Sequence, residues 1–359
     1  MSDFEKRVFW GKIKSPVKRS PHQFDKSNLQ QAIYDSPKQF KVGFDLAREI
    51  RVDGDFERVV FYGEGGSAFP ASLVRILAAN KKYEGGELPI SFFQNYTYLL
   101  TPESTQNALN IFCSYSGNTE ETISTLMQAI DAGLPLIGIA SGGKLEEICK
   151  GKKVSFVKLP VPYEGFQPRM GTGYFVGAML AVLANHGLAA DIRGEILKSA
   201  EGFEAKMEEF ERLGAEIAGK IYGKTPVVWA NEMFKELARI WTIKFNEHAK
   251  NPAFWNFFSE LNHNSMIGFS NLADKYFAIM LKDPADDPRN HKRYGVTAEI
   301  LGEAGLESVV LDLEGSTVFE KLFNSIYLAD FTAYYLAEKN GVDPTPVGMV
   351  EEFKRRLKS

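Results

Sequence analysis

Two cysteines, Cys113 and Cys149, are all that 359 residues contain, and neither belongs to a CxxC pair. So small a supply excludes a disulfide framework and a structural zinc site, and it fits a reducing, cytoplasmic compartment. Charge of one sign is lacking too: 42 basic against 46 acidic residues leave a formal net charge of -4. A dedicated nucleic-acid binder normally carries a basic excess, whereas one bound phosphate needs only a local group of donors. Long apolar runs are missing as well. The longest, Phe175 to Ala184, is about half the ~20 residues that span a bilayer and reads as a buried helix. Met1 to Arg7 shows no apolar stretch of a secretory signal. Neither membrane nor nucleic acid is an expected partner. No repeat of fixed period is found, no Gly-Lys-Ser/Thr follows a glycine loop, and Gly63-Glu64-Gly65-Gly66 lacks the spacing of a dinucleotide fingerprint.

What is present is an ordinary globular composition, 44% hydrophobic and 25% charged, on a chain longer than one core usually organises. Residues 1–50 read as a basic, irregular arm until a helix entry at Asp35-Ser36-Pro37. Residues 51–190 alternate strand and helix patterns, with strands at Arg58–Tyr62, Ile111–Cys113, Leu134–Ile139 and Val154–Val157. A charged helix, Glu195 to Lys220, fills residues 191–222 and links the halves. Residues 223–359 restart the alternation with strands at Pro226–Ala230, Tyr276–Leu281 and Glu307–Leu311, a helix from Arg293, and a closing helix from Pro346. Short Gly-rich turns between alternating elements imply α/β architecture: two doubly wound parallel sheets covered on both faces. The aromatic run Phe254-Trp255-Asn256-Phe257-Phe258 reads as core or as subunit contact.

Two loops fall where such sheets hold ligands, at the carboxyl ends of strands. Gly65-Gly66-Ser67 and Ser114-Tyr115-Ser116-Gly117-Asn118-Thr119 each lead into a helix. Helix N-termini offer unpaired N–H groups to an anion, and hydroxyls donate without adding charge. The same residues could simply cap helices, but two such loops in one sheet favour a phosphate site. Taken singly, Glu247 could be a surface acid, His263 a loop histidine, Arg169 a partner for Glu164, and Lys354 part of a solvated C-terminal charge run.

In combination these features resemble the bifunctional phosphoglucose/phosphomannose isomerases, built from sugar-isomerase (SIS) domains. The two loops resemble the SIS phosphate loops. Pro168-Arg169-Met170-Gly171-Thr172-Gly173-Tyr174, Asn246-Glu247-His248-Ala249-Lys250-Asn251-Pro252, Glu260-Leu261-Asn262-His263-Asn264 and Asn340-Gly341-Val342-Asp343-Pro344-Thr345-Pro346 follow in the family's order. The resemblance implies flavodoxin-like αβα sandwiches with an N-terminal arm and a C-terminal helix. It also implies interconversion of glucose 6-phosphate, and mannose 6-phosphate, with fructose 6-phosphate. Gly66, Ser67, Ser114, Ser116 and Thr119 would hold the phosphate, and Thr345 would bear on mannose acceptance. Glu247 would be the base, Arg169 the enediolate stabiliser, His263 the ring opener reaching in from a partner subunit of a homodimer, and Lys354 a cation near the ring oxygen. No metal or cofactor enters that chemistry. Glu64 stands where the family often has Met, and Ser265 where an acid commonly follows. The alternatives are a phosphosugar sensor, for which residues 1–50 supply no helix-turn-helix module, and a glucosamine-phosphate isomerase.

Overall fold

In strand β1 (Arg58–Tyr62) the four residues after Arg58 are apolar or aromatic and all buried, so the strand must be covered on both faces. A computed structural model describes residues 22–79, 90–93, 107–271 and 273–357, so the first 21 residues of the arm lie outside the described part. Helices α1 (Leu29–Asp35) and α2 (Gln39–Ala47) precede β1, and α3 (Phe69–Ala79) follows it. Then come β2 (Ile90–Phe93), β3 (Ala108–Cys113), α4 (Glu120–Asp131), β4 (Leu136–Ala140), α5 (Gly143–Lys152), β5 (Ser155–Lys158) and α6 (Thr172–Asn185). All strand pairs are parallel, in the order β2-β1-β3-β4-β5. That is the flavodoxin-like order, whose reversal between β1 and β3 opens a crevice at the carboxyl ends of the strands.

The long helix α7 (Arg193–Ile221) leads to β6 (Thr225–Asn231), α8 (Lys235–Lys244), β7 (Phe254–Phe258), the single turn α9 (Glu260–His263) and β8 (Tyr276–Lys282). Helix α10 (Pro288–Glu303), β9 (Glu307–Asp312), α11 (Val318–Asn340) and α12 (Gly348–Leu357) complete the chain. The second sheet, β7-β6-β8-β9, is again all parallel and again reverses beside its first strand. Helix α7 packs along α11, so its apolar side (Phe203, Met207, Phe210) belongs to one core shared by both halves. No described helix is long and apolar enough to cross a membrane.

Besides the unexpected four-residue strand β2, three elements differ from the sequence reading. The arm is helical from Leu29, because the buried Asp25 carboxylate accepts the backbone N–H groups of Leu29 (2.8 Å) and Gln30 (3.1 Å). Ser36–Lys38 is then only a 3-10 turn between α1 and α2. The aromatic run 254–258 is edge strand β7, with Phe258 buried and Phe254 60% exposed. Helix α10 starts at Pro288, five residues before the expected Arg293, because Asp287 caps it through Arg289 N–H (2.7 Å).

Helix α2 lies directly on α6 through two glycines. A Cβ on Gly43 would stand 2.3 Å from the Tyr174 carbonyl, and one on Gly177 would stand 2.4 Å from that of Phe40. Gln39 adds a two-sided clamp, its amide donating to Met170 O (2.8 Å) and accepting from Gly173 N–H (3.1 Å). Alanine in a helix interior ordinarily gains ~1 kcal/mol over glycine. Here overpacking reverses the sign: Gly43→Ala and Gly177→Ala should each destabilise by about 1–3 kcal/mol in urea unfolding. A gain in midpoint for either would show that the helices do not meet this closely.

Candidate active site

After β5 the chain crosses to α6 through a 3-10 turn, Pro168–Met170, entered by Pro168. The turn buries Arg169, which is 1% exposed. Burial holds its guanidinium below the usual pKa, an effect partly offset by Glu247 and Asp330. Its Nη2 donates to the carbonyls of Thr345 (2.6 Å) and Pro344 (3.0 Å), and its Nε to His248 Nδ1 (3.2 Å). Nη1 stands 3.0 Å from Glu247 Oε2 as an ion pair, off the line of a hydrogen bond, with no hydrogen-bond partner among the described residues.

Glu247 comes from a different element. Helix α8 widens at its end into a π turn, Phe245–Ala249, closed by Lys250 in left-handed backbone (φ 52°). Such turns often mark functional positions, since the helix gives up regular bonding to make them. The Glu247 side chain is 32% exposed, so a carboxylate open to solvent sits against a buried cation. Behind it, His248 Nε2 lies 3.4 Å from Asp330 Oδ1, and Lys244 Nζ lies 2.7 Å from the same oxygen. Lys244 also donates to the Arg169 carbonyl at 3.1 Å. Burial and the nearby Arg169 push His248 down to about 3, against the pull of Asp330. Burial alone would raise the Asp330 carboxyl, but Lys244 and His248 hold it below the ordinary range. Two cations and two anions with a neutral imidazole make a balanced cluster.

The first of the two hydroxyl loops borders this cluster and holds the second. Ser67 Oγ accepts the Tyr115 N–H (2.9 Å), tying the loop after β1 to the loop after β3. Ser114 Oγ and Thr119 Oγ1 share a hydrogen bond of 2.8 Å, and the exposed Ser116 hydroxyl accepts Asn118 N–H at 3.3 Å. A Cβ on Gly66 would stand 2.9 Å from Arg169 N. The Gly66-Ser67 loop therefore touches the backbone that carries the arginine. Hydroxyls and helix starts on these loops, with a carboxylate–guanidinium pair next to the Gly66–Arg169 contact, are the groups that an anionic substrate carrying an acidic C–H requires.

The chain is 33% identical over 317 residues to a bifunctional phosphoglucose/phosphomannose isomerase of Aquifex aeolicus, covering 88% of this chain and 93% of that one. It is 30% identical to the protein of that name from Caldicellulosiruptor bescii, over 91% and 98% of the two chains. The chain belongs to the bifunctional phosphoglucose/phosphomannose isomerase family. Residues 210–357 also match the bacterial phospho-glucose isomerase C-terminal SIS domain. Among solved structures, tagatose-6-phosphate ketose/aldose isomerase from Escherichia coli superposes with a TM-score of 0.65 over 88% of this chain and 94% of that one. At 14% identity that likeness speaks to fold alone.

Within this member of the isomerase family, Arg169, Glu247 and Thr345 meet, Arg169 pairing with Glu247 and not with Glu164. Thr345 offers its carbonyl to Arg169, while its buried hydroxyl has no hydrogen-bond partner among the described residues. His263 is exposed at the end of α9. Lys354 is 57% exposed and pairs with Glu351 at 3.3 Å. Glu64 is half-buried in extended backbone, its carbonyl accepting Ser67 N–H at 3.0 Å. Among the described residues no group of three or more His, Cys, Asp or Glu could hold a metal ion. The sequence reading missed His248, Asp330 and Lys244. The available signal was Asp330 itself, an acid on the stripe of α11 that carries Phe323, Tyr327 and Tyr334.

The buried imidazole has a consequence for acid stability. Its folded pKa (about 3) lies below the ordinary 6.5, so below pH 6.5 the unfolded chain binds a proton that the native state refuses. Its contribution is therefore complete above pH 6.5 and lost as pH falls toward 3, by about 1 kcal/mol per unit. Urea unfolding at pH 7 and pH 5 should show that loss in the wild type and a smaller one in His248→Asn. Equal pH slopes would mean that His248 protonates freely in the fold.

Proposed function

We propose that this chain is an aldose–ketose isomerase converting glucose 6-phosphate, and mannose 6-phosphate, to fructose 6-phosphate and back. Residues 51–190 and 223–359 would be its SIS domains. The observation that carries the reading is the half-exposed Glu247 carboxylate, 3.0 Å from a buried guanidinium whose turn abuts the Gly66-Ser67 loop. Gly66, Ser67, Ser114, Ser116 and Thr119 hold the phosphate, which fixes the sugar at its unreactive end. Glu247 takes the C2 proton and returns it to C1. The enediolate oxygen that develops needs a fixed donor, and Arg169 Nη1 has hydrogen-bonding capacity left for it. Ring opening needs a proton shuttle, the role assigned to His263. Lys354 serves near the ring oxygen, and Thr345, beside the arginine, bears on the C2 epimer accepted. Two free, buried cysteines suit a cytoplasmic enzyme.

Isomerisation should be seen in a coupled assay of purified protein as formation of fructose 6-phosphate from either aldose. Glu247→Gln should lower kcat about 10²–10⁴-fold, the range of a general base. Wild-type rates in that variant would remove Glu247 from the role. Calorimetric binding of sugar phosphate with no conversion would favour the sensor reading.

The working unit on this reading is a homodimer. Edge strand β7 leaves Phe254 and Trp255 exposed, and Ile267, a few residues beyond His263, is 76% exposed. An apolar border beside a proposed catalytic histidine suits contact with a second copy. Mixing Glu247→Gln and His263→Ala chains should restore about a quarter of wild-type activity, because half the sites in each mixed dimer are intact. No recovery would place His263 in its own chain's site or outside the mechanism.

A further inference from the structure

We infer that His248 is a positioning residue for Arg169: its Nδ1 accepts the Arg169 Nε–H and fixes the guanidinium plane, so that Nη1 faces the Glu247 carboxylate. The inference rests on the isomerase reading, and it adds a residue that none of the assigned roles includes.

A count of the guanidinium contacts leads to it. Nη2 is held closely by the Thr345 and Pro344 carbonyls, at 2.6 and 3.0 Å, with the Glu247 carbonyl at the 3.5 Å margin. Two acceptors at one corner act as a pivot and leave the plane free to swing. Nε at 3.2 Å from His248 Nδ1 is the second fixed point, and two points on a planar fork determine where the third, Nη1, lies. His248 can accept at Nδ1 only with its proton on Nε2, which lies 3.4 Å from Asp330 Oδ1, within electrostatic reach though off the line of a hydrogen bond. The Pro344 carbonyl also lies 3.2 Å from Nδ1, but the tautomer that would donate to it gives up both the Arg169 and the Asp330 contact. Asp330 is anchored by Lys244 Nζ at 2.7 Å, and Lys244 returns to the Arg169 carbonyl at 3.1 Å. The path thus runs from the Arg169 side chain through His248, Asp330 and Lys244 back to the Arg169 backbone. Each member is buried, so none is loosened by water.

Matched side chains separate this role from general packing. Asparagine sets its carbonyl oxygen near the place of Nδ1, whereas the glutamine amide extends toward the place of Nε2. His248→Asn should keep kcat within about 3-fold, while His248→Gln and His248→Leu should lose about 10- to 100-fold with KM changed less than about 3-fold. Binding of two non-reacting ligands gives a readout apart from turnover. An alditol phosphate resembles the neutral ground state, and an aldonic acid phosphate carries a carboxylate in place of the enediolate. His248→Gln should bind the aldonate at least about 10-fold more weakly than wild type and the alditol phosphate equally well. Leucine serves in the same comparison if the glutamine variant does not fold. Equal loss of both ligands, or an asparagine variant as impaired as glutamine, overturns the positioning role. Wild-type protein that binds both ligands but converts no sugar counts against the isomerase reading, and the two affinities still decide what His248 does.

Discussion

Burying a permanent cation is the constraint around which this protein is arranged. A guanidinium cannot shed its charge on burial as a histidine or lysine can. Every donor of Arg169 must therefore be met by the fold or held for a ligand. The groups that meet it come from far apart in sequence: the Pro344–Thr345 carbonyls and His248 and Glu247 on the π turn, with Asp330 on α11 behind the histidine. Removing one partner from such a cluster leaves a buried charge uncompensated, at a cost of about 3–5 kcal/mol. The site thus exists only when both halves are docked, and their shared core along α7 and α11 ensures that they are. The helices before β1 belong to the same arrangement, because Gln39 grips the last residue of the arginine's turn and the first turn of α6 just after it.

The two sheets repeat one topology with opposite electrostatics. At the reversal of the first, glycines and hydroxyls leave the helix starts open to an anion. At the corresponding place in the second, the chain supplies anions of its own. Asn231, at the end of β6, donates to Asp286 Oδ2 at 2.7 Å, and Asn290 and Asp287 N–H occupy Oδ1. Asp283, just past β8, takes Lys321 at 2.6 Å. Burial would raise the Asp286 carboxyl, yet these donors hold it below its usual range, so it stays charged. A carboxylate in that place repels a phosphate. The same architecture therefore carries a glycine–hydroxyl loop pair in one half and a closed polar seam in the other, and residue type decides which.

Much of this was legible in the sequence, for identifiable reasons. Strands buried on both faces appear as unbroken β-branched and aromatic runs, and β1, β3, β4, β6 and β8 were readable that way. The two loops were readable as strand-end turns because glycines and hydroxyls directly follow the buried runs of β1 and β3. Strand β7 was not, since Phe254–Phe258 carries aromatics toward both faces and follows a proline. Strand β2 is only four residues long. Helix α1 depends on a cap four residues upstream, Asp25, that resembles any loop acid until the chain folds. The polar support of Arg169 was hidden for a deeper reason: periodicity reports which face of a helix is buried, not which buried polar groups meet across elements.

Helix geometry explains how one turn supplies both a sealed support and an accessible carboxylate. Residues i and i+4 share a face, which carries Lys244 and His248 together to Asp330. Glu247 is offset by one position, off that face, where the turn meets solvent. Had the carboxylate stood at 248, it would be buried beside Asp330 and neutralised by proton uptake. Had the imidazole stood at 247, the arginine would lack its second fixed point. A single residue of spacing on the π turn therefore separates the group open to solvent from the groups that must remain dry.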